Sequence, residues 1–177
     1  MPRRPASSRR LGGGGKGGDG GRGGGGGGGY AGGMRDDERR VFDELLEEAM
    51  GELPERIAAA LEEVPVVVDD LMERDLAKTL ATEHEVDTGD AEALDRFRRD
   101  LCGLHSGIPL TEASVEQSGV MPTDIRLFRE PIVELAGGWR GDGVEDEIYG
   151  EIWITLLHEI GHHFGLDEDD LAELGYE

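Results

Sequence analysis

Residues 155–177 read TLLHEIGHHFGLDEDDLAELGYE, and the first ten of them decide the fold. Together with the residues just upstream they place Ile148, Ile152, Leu156 and Ile160 at a spacing of four. That spacing predicts a helix from about Glu145 to Phe164 with one apolar stripe turned inward. Gly165 follows as the residue able to take positive φ and end it. The same helix carries His158-Glu159-Ile160-Gly161-His162. Residues four apart lie on one face, so the two imidazoles can meet a single metal ion. Glu159 lies about 100° around the helix from His158, close enough to reach water beside that metal without being a ligand.

Working upstream, DIRLFREPIVEL alternates at its start, with Ile125 and Leu127 on one side and Arg126 and Phe128 on the other. This predicts a strand with one wet face, and Pro131 suits its end or an edge position. AGGWRGDG reads as a turn. HSGIPLTEASVEQSG is loop, with His105 near a turn. DAEALDRFRRDLCGL reads as a helix capped by Asp90, with Leu94, Phe97 and Leu101 on one face and Gly103 at its end. Residues 71–83 look helical. VPVVVDDL is dense in β-branched residues and reads as a strand. PERIAAALEE is a short helix opened by Pro54. DDERRVFDELLEEAMGEL is a longer one, with Val41, Leu45, Leu46 and Met50 at helical spacing. Helix, strand, helices, strands, helix is an α+β pattern.

The 33 residues at the N-terminus are mostly glycine with scattered arginine, too poor in apolar side chains to offset the entropy of ordering, so 1–33 reads as a disordered tail and 34–177 as one domain. Charge divides in the same way: residues 1–35 carry +6 and residues 36–177 carry −28, for a net −22. An acidic body of this size repels nucleic acid and anionic membrane and favours basic or neutral partners. Cys102 is the only cysteine, which rules out an internal disulfide and a thiolate zinc cluster and leaves a buried thiol as the expectation. No apolar run reaches membrane-spanning length, and no apolar segment follows the first arginines as a secretory signal requires. The expected compartment is the cytoplasm.

H-E-x-x-H on a helix is the pattern of zinc peptidases, because hydrolysis needs both a Lewis acid and a carboxylate beside it. Two histidines with few oxygen donors favour zinc over other metals. Three ligands are usual in such a site. No histidine or cysteine lies downstream of His163, so a local third ligand must be Asp167, Glu168, Asp169, Asp170, Glu173 or Glu177. In the longer pattern H-E-x-x-H-x-x-G-x-x-H the third ligand falls ten residues after the first histidine. That position is Glu168, with the shorter Asp167 as its rival. The metzincin Met-turn has no counterpart, since no methionine follows Met121. His163 falls about 140° from His158 and points away from the metal, as a supporting or surface residue. His84, in a charged helix, reads as a solvated surface residue, and either it or His105 is a conceivable upstream ligand. Tyr176 carries a suitable hydroxyl near the site, though packing of its ring is the plainer reading.

TLLHEIGHHFGLDEDDLAELGY, together with GIPLTEASVEQSGVMPTDIRLFREPI, resembles the small bacterial zincin-like metallopeptidase family, the minimal zincins. The resemblance spans residues 36–70 and 101–177 and is least marked over 71–100. It implies a compact α+β zincin fold, with the H-E-x-x-H helix packed against a small sheet. Carried over by position, it implies that His158 and His162 hold the metal and that Glu159 is the catalytic carboxylate. The family's acidic residue after the glycine is usually Asp; here Glu168 fills that slot, preceded by Asp167. The activity implied is zinc-dependent hydrolysis of peptide bonds. Zincins bind peptide as an added strand at a sheet edge, and IRLFREP is the expected edge. A zinc-binding module acting through a partner protein, without turnover in isolation, is the alternative.

Overall fold

The computed structural model describes residues 33–84, 86–107, 123–167 and 169. Residues 1–32 of the N-terminal tail, the segment 108–122, Glu168 and Tyr176 lie outside the described residues.

Among the described residues, six helices and three strands follow in the order α1 (Asp36–Gly51), α2 (Glu55–Ala60), β1 (Val66–Asp69), α3 (Arg74–Glu83), α4 (Ala91–Asp100), β2 (Gly103–Ser106), β3 (Asp124–Phe128), α5 (Arg129–Leu135) and α6 (Val144–His163). This is the expected α+β chain, with a small mixed sheet of order β1-β3-β2. β1 runs parallel to β3, and β2 runs antiparallel to it. Register sorts the sheet's two faces. Ile125 lies opposite both Val66 and His105, and Leu127 opposite both Val68 and Gly103, so these six share one face.

Ile125, Leu127, Val66 and Val68 pack into a core with Phe42, Leu45, Leu46 and Ala49 of α1 and Ile148, Ile152, Leu156 and Ile160 of α6. The α6 stripe is 0–2% exposed throughout. Burying each such side chain contributes about 1.5–3 kcal/mol relative to leaving it in water. The other face of the sheet is covered by a second cluster in which Phe128 and Leu104 meet Met72, Ala77, Ala81 and Leu94 from α3, α4 and the loop before α3. An ionic clamp ties the elements together. Arg129, opening α5, reaches Asp43 of α1 at 2.7 Å and Asp70 beyond β1 at 3.1 Å, and Asp70 also accepts from Arg39 at 2.7 Å.

Several expectations need correction. β3 is the central strand, so IRLFREP is not a sheet edge; the sheet edge toward α6 is β2. Gly103 does not end a helix: α4 stops at Asp100, and Gly103–Ser106, expected as a helix end running into a loop at His105, is β2. Pro131 sits in the first turn of α5 rather than in a strand, a place where its missing N–H costs nothing. The outer face of β3 is not wet at Phe128, because α3 and α4 fold over it. In α1 the buried face holds Phe42 and Ala49 rather than Val41 and Met50, one residue round from the expected stripe.

Candidate metal centre

The centre is built on the C-terminal half of α6. Tight packing of the Ile148–Ile152–Leu156–Ile160 stripe fixes the helix, and His158, Glu159 and His162 project from its remaining surface. His158 and His162 are half-buried, and their Nε2 atoms approach to 3.0 Å. The motif thus brings together the two imidazoles expected to share a metal.

Orientation of the His162 ring follows from how the helix ends. Gly165 takes φ +81°, the left-handed value that glycine adopts without strain. Its N–H donates to His162 O at 3.0 Å, and Leu166 N–H donates to Gly161 O at 3.0 Å, the paired bonds of a Schellman turn. The turn carries Leu166 O back to 3.2 Å from His162 Nδ1. A carbonyl only accepts, so Nδ1 bears the proton and Nε2 presents its lone pair toward His158. Two imidazole nitrogens, one of them fixed in tautomer by a backbone carbonyl, make a donor set suited to zinc.

Glu159 is only 6% exposed. Its side chain lies against β2 at Gly103, where an added Cβ would stand 2.5 Å from Oε1. One helical turn on, His163 is 3% exposed, not a surface residue. Its Nδ1 lies 3.4 Å from Nε2 of His105 on β2, and its own Nε2 is buried with no hydrogen-bond partner among the described residues. An orphaned N–H costs more than an orphaned lone pair, which favours a proton on His163 Nδ1 donated to His105. Burial first, then the neighbouring His163 and His162, push the His105 imidazole below its usual pKa, with Asp124 opposing. Burial lowers His163 as well. Both rings therefore favour the neutral form.

Among the described residues, no third His, Cys, Asp or Glu gathers with His158 and His162 into a group able to hold a metal. Asp167 is described and exposed, and Glu168 lies outside the described residues. His84 is exposed at the end of α3, its ring 5.6 Å from Phe97 rather than near the motif. Cys102, half-buried beside the site, has its thiol pushed up to about 11 by burial and then by the negative charges of Glu151, Glu159 and Asp100.

Sequence reasoning found the histidine pair and Glu159 but not Gly103, nor His105 and His163 as a contact. A four-residue strand is too short to display a period, and a glycine after an amphipathic helix reads as its end.

A helix bearing H-E-x-x-H, laid along the edge strand of a small mixed sheet, is the architecture of a zincin. The family model described as zincin-like metallopeptidase matches residues 61–176, well over half of the chain, and the protein belongs to that family. The matched range takes in 71–100 and begins after α1 and α2. No curated protein matched the chain. Among the described residues no helix is long and apolar enough to cross a membrane.

Proposed function

We propose that this protein is a zinc-dependent peptidase whose metal is held by His158, His162 and Glu168, with Asp167 as the alternative third ligand, and whose general base is Glu159. The observation that carries the reading is the convergence of the two Nε2 atoms at 3.0 Å beside a buried glutamate. Zinc bound there supplies Lewis acidity, bringing the pKa of water to about 7 and polarising a carbonyl. The chain's own residues do the rest. Glu159 takes the proton of the attacking water on its carboxylate and returns it to the departing amine nitrogen. Leu166 O, through His162 Nδ1, holds one imidazole in the tautomer that can bind metal. Burial of Glu159 against β2 keeps bulk water from competing for the proton.

The substrate class is peptide or protein. The acidic body, −28 over residues 36–177, favours basic or neutral segments and disfavours nucleic acid and anionic membrane. Residues 34–177 form the catalytic domain, and the cytoplasm is the compartment that fits a chain whose one cysteine has no partner for an internal disulfide.

The test is cleavage of a peptide library by the zinc-loaded protein beside its Glu159→Gln variant. Cleavage that falls by roughly 10²–10⁴-fold in the variant, with one zinc bound in both, is expected. One zinc with no cleavage in the parent shifts the reading to a zinc-binding module that acts through a partner. Failure of both proteins to bind zinc refutes both readings.

A further inference from the structure

We infer that Gly103 is a positioning residue for Glu159: the missing side chain on the inner face of β2 is the seat that sets where the base's carboxylate lies. The inference rests on the peptidase reading of the same site.

Gly103 and His105 are two residues apart on β2, so both face α6. Glu159 and His163 are one turn apart on α6 and face β2. A step of two residues along a strand is about 6.6 Å and a turn of helix about 5.4 Å, so the two pairs stay in register, Gly103 against Glu159 and His105 against His163. The second pair is seen as the 3.4 Å approach of His163 Nδ1 to His105 Nε2. The first is closer than any side chain on β2 permits. A Cβ at Gly103 would stand 2.5 Å from Oε1, 2.7 Å from Cγ and 2.9 Å from Cδ of Glu159.

Neither backbone can retreat. β2 is paired with β3 from Gly103↔Leu127 to Ser106↔Asp124, and Phe128 N–H donates to Cys102 O at 2.8 Å just before Gly103. On the other side, α6 is locked by a stripe that is 0–2% exposed. A methyl group at position 103 would therefore displace the Glu159 side chain rather than the frame. With Glu159 already 6% exposed, the carboxylate would have to leave its present position. Displacing a catalytic group by about 1 Å costs on the order of 10²-fold in rate.

The experiment uses the full-length, zinc-loaded protein. Gly103→Ala is expected to lower kcat roughly 10–100-fold with KM and zinc stoichiometry unchanged. A stability cycle reads the contact without turnover. All three crowded atoms lie beyond Cβ of Glu159, so Gly103→Ala should lower the unfolding midpoint in the parent and not in a Glu159→Ala background. If Gly103→Ala alone does not fold while the double variant does, the contact is upheld. An equal drop in both backgrounds overturns the contact. A normal kcat in folded Gly103→Ala overturns the positioning role, leaving only a packing one. A parent that holds zinc and cleaves nothing refutes the peptidase reading and with it the positioning of a base. The cycle separates that result from loss of the contact itself.

Discussion

Ile152→Ala tests whether α6 is the rigid bed of the site. Ile152 is 0% exposed in the middle of the stripe that meets α1 and the sheet. It lies six residues before His158, about 9 Å along the helix axis. Substitution removes three carbons, which at about 0.8 kcal/mol for each buried methylene-sized group is about 2.4 kcal/mol of lost transfer energy. The cavity left behind adds up to about 2 kcal/mol if the surroundings relax little. The expected loss is about 3–4 kcal/mol, which for a domain of this size lowers Tm by about 10 °C. Urea unfolding followed by circular dichroism measures the loss, and zinc stoichiometry and peptide turnover are read on the protein while it remains folded. Those last two should match the parent, because the cavity lies away from the motif. A loss below about 1 kcal/mol would refute the assignment of this stripe as the core. A folded variant that no longer binds zinc would refute the rigidity of the bed.

Three further outcomes are expected. Hydrogen bonds from Arg39, then the charges of Arg39 and Arg129, hold the Asp70 carboxyl below its usual range. A depressed carboxylate stabilises the fold above the unfolded pKa of about 3.9 and loses that contribution as pH falls through the folded value. Asp70→Asn should cost about 1–2 kcal/mol at pH 7, and the difference from the parent should vanish in the most acidic melts; a difference independent of pH would count against the clamp. Cys102, with its thiol at about 11, should react with iodoacetamide far more slowly at pH 8 than a free cysteine and speed up as pH climbs toward that value; alkylation at the free-thiol rate would contradict its burial. Chelation should abolish turnover and lower Tm, and equimolar zinc should restore both, since a ligand that binds only the folded state adds to its stability; a Tm indifferent to chelator and zinc would argue against a bound metal.

Where the fold was legible, the signals were local. Ile148, Ile152, Leu156 and Ile160 declare α6 by spacing alone, and all four are buried as that spacing requires. Asp90 reads as a cap, and its carboxylate accepts from Glu92 N–H and Ala93 N–H. The errors arose where tertiary neighbours decide. Phe128 reads as exposed on alternation, yet α3 and α4 fold over that face. Val41 and Phe42 are both apolar, and only the position of α6 against α1 selects the face that holds Phe42. β2 is recognisable only once β3 lies beside it, and with β2 absent β3 was bound to look like an edge.

The same division runs through the site. His158 and His162 were legible because both lie on one helix four residues apart, and their ring nitrogens meet without reference to the rest of the chain. Gly165 was legible as a helix end, and its turn does double duty by returning Leu166 O to His162 Nδ1, so one local signal fixes both where the helix stops and which tautomer the ring adopts. Glu159 is different. Its identity is written in the motif, but the position of its carboxylate is written in Gly103, on an element that folds against it from elsewhere in the chain. A glycine there announces nothing by itself, because its meaning is the volume that another residue occupies. The motif therefore specifies which groups are present, and the strand across from it specifies where the Glu159 carboxylate stands.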